Sequence, residues 1–175
     1  AAGGDTSLME SSIFLGLTGH VFLVAIAAQP SLCVPPGPLL GILLVLDLAV
    51  GAAALYMRRE DLHRAAMAAS GLILIVWVDV AELVPWPDVA VFSAGALVLL
   101  SLVWVYLAKR NGMDAAPFSQ TAAITIVLAQ FVAIFAGAQR GTPYTEFLLT
   151  AHLVFLVTLL ALEWHRGTFV FAAVA

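Results

Sequence analysis

Residues 38–57 read PLLGILLVLDLAVGAAALYM, and this stretch decides the fold class. Its only charged side chain is Asp47. At a rise of about 1.5 Å per residue, a helix of this length reaches about 30 Å, which matches the hydrocarbon core of a bilayer. Pro38 suits the first helical position, because its missing N–H would have no partner there. The stretch therefore predicts a transmembrane helix.

Five other runs have a similar length and composition, so we predict six spans. They cover residues 12–28, 38–57, 65–84, 88–108, 119–138 and 144–164. Backbone groups in hydrocarbon must bond one another, which only helices and closed barrels achieve. The runs are too long for barrel strands and lack their alternation of polar and apolar residues. We therefore predict an all-α, polytopic integral membrane helical bundle of about six transmembrane helices, with residues 1–175 forming a single transmembrane domain.

The composition of the whole chain argues against several classes of protein. Of 175 residues, 63% are hydrophobic and 10% are charged, whereas a soluble domain carries about a quarter charged residues. A net charge of −4 without a basic patch argues against nucleic acid as a partner. The single cysteine, Cys33, leaves no intrachain disulfide and no CxxC motif. The connectors are too short for a nucleotide-binding fold, and no GxGxxG or phosphate-binding loop is present.

The distribution of Lys and Arg predicts how the chain lies in the membrane. Six of the seven basic residues follow the second, fourth or sixth span, and only Arg140 falls on the other side. The six are Arg58, Arg59, Arg64, Lys109, Arg110 and Arg166. By the positive-inside rule, both termini are cytoplasmic. We expect an integral, multi-pass protein of a prokaryotic-type plasma membrane.

Ionisable side chains inside a bilayer are costly and mark function, and five within the predicted spans are candidates for a site. They are His20, Asp47, Asp79, Glu82 and His152. Counting along the spans places His20, Asp47 and His152 near the midplane. Asp79 and Glu82 lie in the outer third of the third span, three residues apart and hence on one helix face.

The two midplane histidines raise a cofactor hypothesis. His20 and His152 lie at similar depth on different spans, so facing imidazoles could ligate one haem b, or bind a metal ion together with Asp47. Small neighbours, Gly19 and Ala151, leave room for a macrocycle. The alternative is that each histidine hydrogen-bonds a backbone or hydroxyl group between helices.

The carboxylates raise a second hypothesis, the movement of protons or ions. Asp47 at the midplane, with Asp79 and Glu82 leading outward, could form a relay, because carboxylates in a medium of low dielectric can take up and release protons. The alternative is that Asp47 bonds a neighbouring helix. Asp79 and Glu82 would then be hydrated near the outer surface.

The short connectors and the missing soluble domain favour a non-enzymatic function. We predict an accessory or structural subunit of a larger membrane complex, in contact with the lipid bilayer and with other membrane subunits or with copies of itself. Small residues such as Gly37 and Gly41 would let helices approach closely. Two alternatives stay open. One is a proton-coupled or substrate-binding transport component that uses Asp47, and the other is a haem b- or metal-binding electron-transfer subunit ligated by His20 and His152.

Overall fold

A computed structural model describes residues 3–81, 87–138 and 145–167, with the side chains of all of these except 3–10, 12, 87, 138 and 145. Within these ranges the chain is helical and contains no strand. The helices are α1 (Gly3–Ala27), α2 (Pro30–Cys33), α3 (Gly37–Met57), α4 (Glu60–Val80), α5 (Pro87–Arg110), α6 (Ala116–Ala138) and α7 (Thr145–Arg166).

The lengths and compositions of these helices confirm the predicted membrane bundle. The five helices α3 to α7 are long and apolar enough to cross a bilayer, and α1 contributes the shorter apolar segment Ile13–Ala27. Large apolar side chains cover the outside, among them Phe14 and Leu99, which are 75% and 66% exposed. Such a surface requires contact with lipid. The orientation of the bundle and the kind of membrane stay predictions.

Two helices begin well before their predicted spans: α1 begins at Gly3 and not at residue 12, and α4 also begins early. The third span is predicted at residues 65–84, but α4 runs from Glu60 to Val80. Glu60 and Asp61 occupy its first turn, where negative side chains interact favourably with the helix dipole. Glu60 and Asp61, which were predicted to lie in a connector, therefore belong to the first turn of α4. His63 consequently lies within the helix.

Two tight turns set adjacent helices antiparallel. Arg58 ends α3 in the left-handed conformation (φ 56°), and the N–H of Arg59 donates to the carbonyl of Ala54 at 2.9 Å. Gly112 (φ 65°) follows α5, and the N–H of Met113 donates to the carbonyl of Ala108 at 3.0 Å. Both turns satisfy carbonyls that a helix end leaves unpaired. The first turn brings α4 back along α3.

The helices form two groups that meet between α4 and α6. In the first group α1 packs on α3 and α4, and in the second α6 packs on α5 and α7. One apolar core extends through both groups and includes Trp77 of α4 and Ile126 of α6, which are fully buried. Gly71 of α4 lies so close to α6 that an added Cβ would stand 2.6 Å from Leu128 Cδ1. The candidate site belongs to the first group.

Candidate functional site

A buried polar cluster joins the three helices of the first group. Asp47 comes from α3, His20 from α1 and Ser70 from α4, and each residue is at most 1% exposed. His20 Nε2 lies 3.2 Å from Asp47 Oδ1. The Ser70 hydroxyl donates to the same Oδ1 at 2.7 Å. The other ring nitrogen of His20, Nδ1, lies 2.8 Å from the carbonyl oxygen of Gly16.

The cluster lies halfway along α3 and α4. Asp47 is the eleventh of the 21 residues of α3, and Ser70 is the eleventh of the 21 residues of α4. At about 1.5 Å per residue, each stands about 15 Å from either end of its helix. That distance is half the thickness of a hydrocarbon core, which is the depth predicted for Asp47 from the sequence.

The sequence pattern of α3 and α1 explains why these side chains meet. The buried face of α3 includes Leu43, Asp47 and Gly51, spaced by four residues and therefore on one side of the helix. On α1, an added Cβ at Gly16 would lie 2.7 Å from Val50, and one at Gly19 would lie 3.0 Å from Leu46. The two glycines therefore let α1 approach α3 closely enough for His20 to contact the carboxylate.

The hydrogen-bond geometry places one exchangeable proton in the cluster. A carbonyl oxygen only accepts, so the ring of His20 donates its Nδ1–H to Gly16. In a neutral ring Nε2 is then an acceptor, and so is an ionised Asp47. A hydrogen bond between His20 Nε2 and Asp47 Oδ1 therefore requires one further proton, held by either the imidazole or the carboxyl group.

A cleft opens beside the carboxylate, between α3 and α5, with α4 behind it. Its volume is about 170 Å³, and Asp47, Ser93 and Ala96 contribute to its lining. The remaining walls are leucines, namely Leu40, Leu43, Leu44, Leu74, Leu97 and Leu100. Because α3 packs mainly on α1 and α4 and only lightly on α5, the two walls stay apart. Asp47 is thus bonded to His20 and Ser70 through Oδ1 and borders an apolar space as well.

The structure brings only part of the predicted site together. His20 and Asp47 meet, as their shared depth allows. His152 lies half-buried on α7 beside Gln130 of α6, within a different pocket. Asp79 is exposed near the end of α4, about 13 Å along the helix axis from the level of Ser70. Glu82 lies outside the described residues.

These positions bear on the cofactor hypothesis. The described ranges contain no group of three or more His, Cys, Asp and Glu side chains that could hold a metal ion. Both ring nitrogens of His20 contact protein oxygens, and His152 is in another part of the bundle. The ligation of haem b by His20 and His152, and of a metal by these two with Asp47, stays a prediction that these contacts do not favour.

Sequence reasoning missed Ser70 and His63 among the buried polar residues. Ser70 gives no signal in the sequence, since it is one small residue among many on α4. His63 is fully buried, stacked on Phe118 at 5.1 Å between ring centroids and edge-on to Trp104 at 6.3 Å. The acidic pair at Glu60 and Asp61 could have indicated that a helix begins before His63.

Comparison with known proteins assigns no family to the chain: no family model, no curated protein and no solved structure matches it. The function must therefore be inferred from the site.

Proposed function

We propose that this membrane protein is a proton-coupled transport component whose proton-binding site is the pair of Asp47 and His20. The observation that carries the proposal is the contact between His20 Nε2 and Asp47 Oδ1, buried at the centre of the bundle. The pair requires a proton to form its hydrogen bond, and the same carboxylate borders a cleft. Coupled transport requires a group that binds a proton and an adjacent space for a second ligand. The Asp47–His20 pair and the cleft beside it meet these two requirements.

The position of Asp47 supports a functional role over a structural one. A charged side chain at the bilayer centre costs about 2.5–3.5 kcal/mol on insertion scales, and apolar residues on α3 would pack without that cost. Hydrogen bonds from Ser70 and His20 offset part of the cost when the group is ionised. The site therefore accommodates both protonation states of the carboxyl group, which exchange requires.

The outward path through Asp79 and Glu82 is a separate part of the hypothesis. About 13 Å along the helix axis separates the level of Ser70 from that of Asp79, and one hydrogen bond does not cover this distance. The cleft, lined by Asp47 and by Ser93 of α5, offers a different approach to the carboxylate. We therefore assign proton binding to the Asp47–His20 pair and leave Asp79 out of the central step.

Proton flux into liposomes tests the proposal. The protein is reconstituted, and a potassium diffusion potential drives protons inward while an internal pH dye reports them. We expect Asp47→Asn to lower the flux at least about tenfold while the variant folds normally, because asparagine keeps the shape and takes no proton. Asp79→Asn is the matched control and should keep wild-type flux. Equal flux in the wild type and Asp47→Asn would overturn the proposal.

A second candidate function, a subunit of a larger membrane complex, is favoured by a groove on the lipid-facing side. This apolar groove between α5 and α7 has a volume of about 450 Å³. Gly95, Ala96 and Ala151 line it, and small residues allow a helix of another chain to approach closely. Gly95→Leu should then weaken association in a bilayer, measured by energy transfer between labelled chains. Undiminished association would remove this candidate.

A further inference from the structure

We infer that the cleft beside Asp47 binds a small lipophilic amine, which takes up the proton of the Asp47–His20 pair and is held there as its ammonium ion. This assignment names the substrate class of the proposed transport function and rests on it. The chemistry of the walls, the volume of the cleft and its opening each limit what can bind.

The walls select an organic cation. Six leucines and Ala96 form a hydrocarbon lining, and the polar groups of the cleft are the Asp47 carboxylate and the Ser93 hydroxyl. An anion would be repelled by the carboxylate in a medium of low dielectric. A bare calcium ion takes six to eight oxygen ligands, which two side chains do not supply. An ammonium group has at most three N–H donors and can be satisfied by Asp47 and Ser93, while its hydrocarbon part contacts the leucines.

The volume limits the hydrocarbon part. At about 170 Å³, the cleft is close in size to an engineered apolar cavity of about 150 Å³ that holds benzene. A single six-membered ring with an amino group therefore fits, and a long-chain amine would have to extend out of the cleft.

The opening points to access from the bilayer. Leu44, which lines the cleft, is 50% exposed on the outer surface of α3, and α3 and α5 contact each other only lightly. A ligand that enters between these helices comes from the hydrocarbon region, which a neutral amine crosses far more readily than an ion does.

The binding step balances without a further reactant. A neutral amine brings a lone pair on nitrogen, and the Asp47–His20 pair holds one exchangeable proton. On binding, that proton passes to the amine, so that one N–H bond forms and the O–H or N–H bond at the pair breaks. The products are an ammonium ion and an ionised Asp47 that still accepts from Ser70. Release of the ammonium ion lets the pair take a new proton from water.

Calorimetry in lipid nanodiscs tests the inference, with cyclohexylamine as the probe. Empty nanodiscs correct for partition into lipid, cyclohexanol is the neutral analogue, and cyclohexanecarboxylate is the anionic one. We expect saturable binding of the amine only. Asp47→Asn should weaken it at least about tenfold, because the ammonium ion loses its charged partner. Binding of the amine to Asp47→Asn with wild-type affinity would overturn the inference.

A matched pair of variants on α3 separates the cleft from the proton site. Leu44→Trp places a bulky ring at the opening, whereas Leu48→Trp alters a residue of similar exposure (44%), one turn along α3, that does not line the cleft. We expect Leu44→Trp to lose amine binding and Leu48→Trp to keep it. Retained binding in Leu44→Trp would contradict the assigned cleft. If the wild type binds no amine while Asp47→Asn still abolishes proton flux, the inference fails and the proposed function stands.

Discussion

Two histidines in the described part of the chain are fully buried, and their surroundings differ. Both ring nitrogens of His20 lie within hydrogen-bond distance of an oxygen, one on Gly16 and one on Asp47. Neither ring nitrogen of His63 has a hydrogen-bond partner among the described residues, and the ring stacks on Phe118. The ring of His20 belongs to a polar cluster formed by three helices. The ring of His63 belongs to an aromatic cluster with Phe118 and Trp104.

Burial alone therefore does not identify a functional histidine. His20 lies beside the carboxylate of Asp47, which is midway along α3, and a hydrogen bond between the two groups requires a proton that they share. His63 is the fourth residue of α4, close to the charged turn at Arg58 and Arg59, and presents the flat faces of its ring to aromatic neighbours. A stacked imidazole without a polar partner has no group to which it can pass a proton. Three substitutions sharpen this comparison.

The largest effect is expected from His20→Phe. Phenylalanine fills a similar volume but takes neither hydrogen bond, so Asp47 loses the partner with which it shares a proton. We expect destabilisation by about 3 kcal/mol, as when one partner of a buried pair is removed. Thermal unfolding in detergent measures this loss, and proton flux should fall to the level of empty liposomes. Wild-type flux in His20→Phe would show that the ring only fills space.

An intermediate effect is expected from Ser70→Ala. The change removes one donor to Asp47 Oδ1 and leaves His20 in place, so stability should fall by about 1 kcal/mol and the flux should fall severalfold without being abolished. Ser101→Ala is the matched control, since that buried hydroxyl donates to the carbonyl of Val98 in its own helix at 2.7 Å. Equal flux in the two variants would exclude Ser70 from the proton site.

The smallest effect is expected from His63→Phe. A second phenyl ring can stack on Phe118, and the two buried nitrogens without partners disappear. We expect the unfolding free energy to stay the same or to rise by about 1 kcal/mol, with unchanged proton flux. A loss of flux as large as that in His20→Phe would erase the distinction between the two histidines.

The fold could be predicted from the sequence because five of the six predicted spans are runs of apolar residues of bilayer length, and the first is a shorter apolar run. The start of α4 could not be located in this way, since Glu60 and Asp61 resemble a connector and their benefit at a helix start depends on the helix being there. The error concerned five residues, yet it placed His63 outside the helix.

The candidate site was predictable only in part. The polarity of His20 and Asp47 and their positions near the middle of the predicted spans identified them as candidates. Their similar depth was consistent with a contact between them. Depth also made His152 a candidate, but packing decides which helices are neighbours, and α7 packs chiefly on α6. Ser70 reaches Asp47 because the turn at Arg58 sets the midpoints of α3 and α4 side by side, and no pattern within either helix contains that information.

The most direct test of the central claim is an infrared titration of Asp47 in lipid. Difference spectra recorded between acidic and alkaline pH report carboxyl groups that gain or lose a proton. We predict a carboxyl signal that is absent in Asp47→Asn, altered in His20→Phe and unchanged in His63→Phe. Difference spectra of the wild type and Asp47→Asn that coincide at every pH would show that Asp47 exchanges no proton, and would contradict the account.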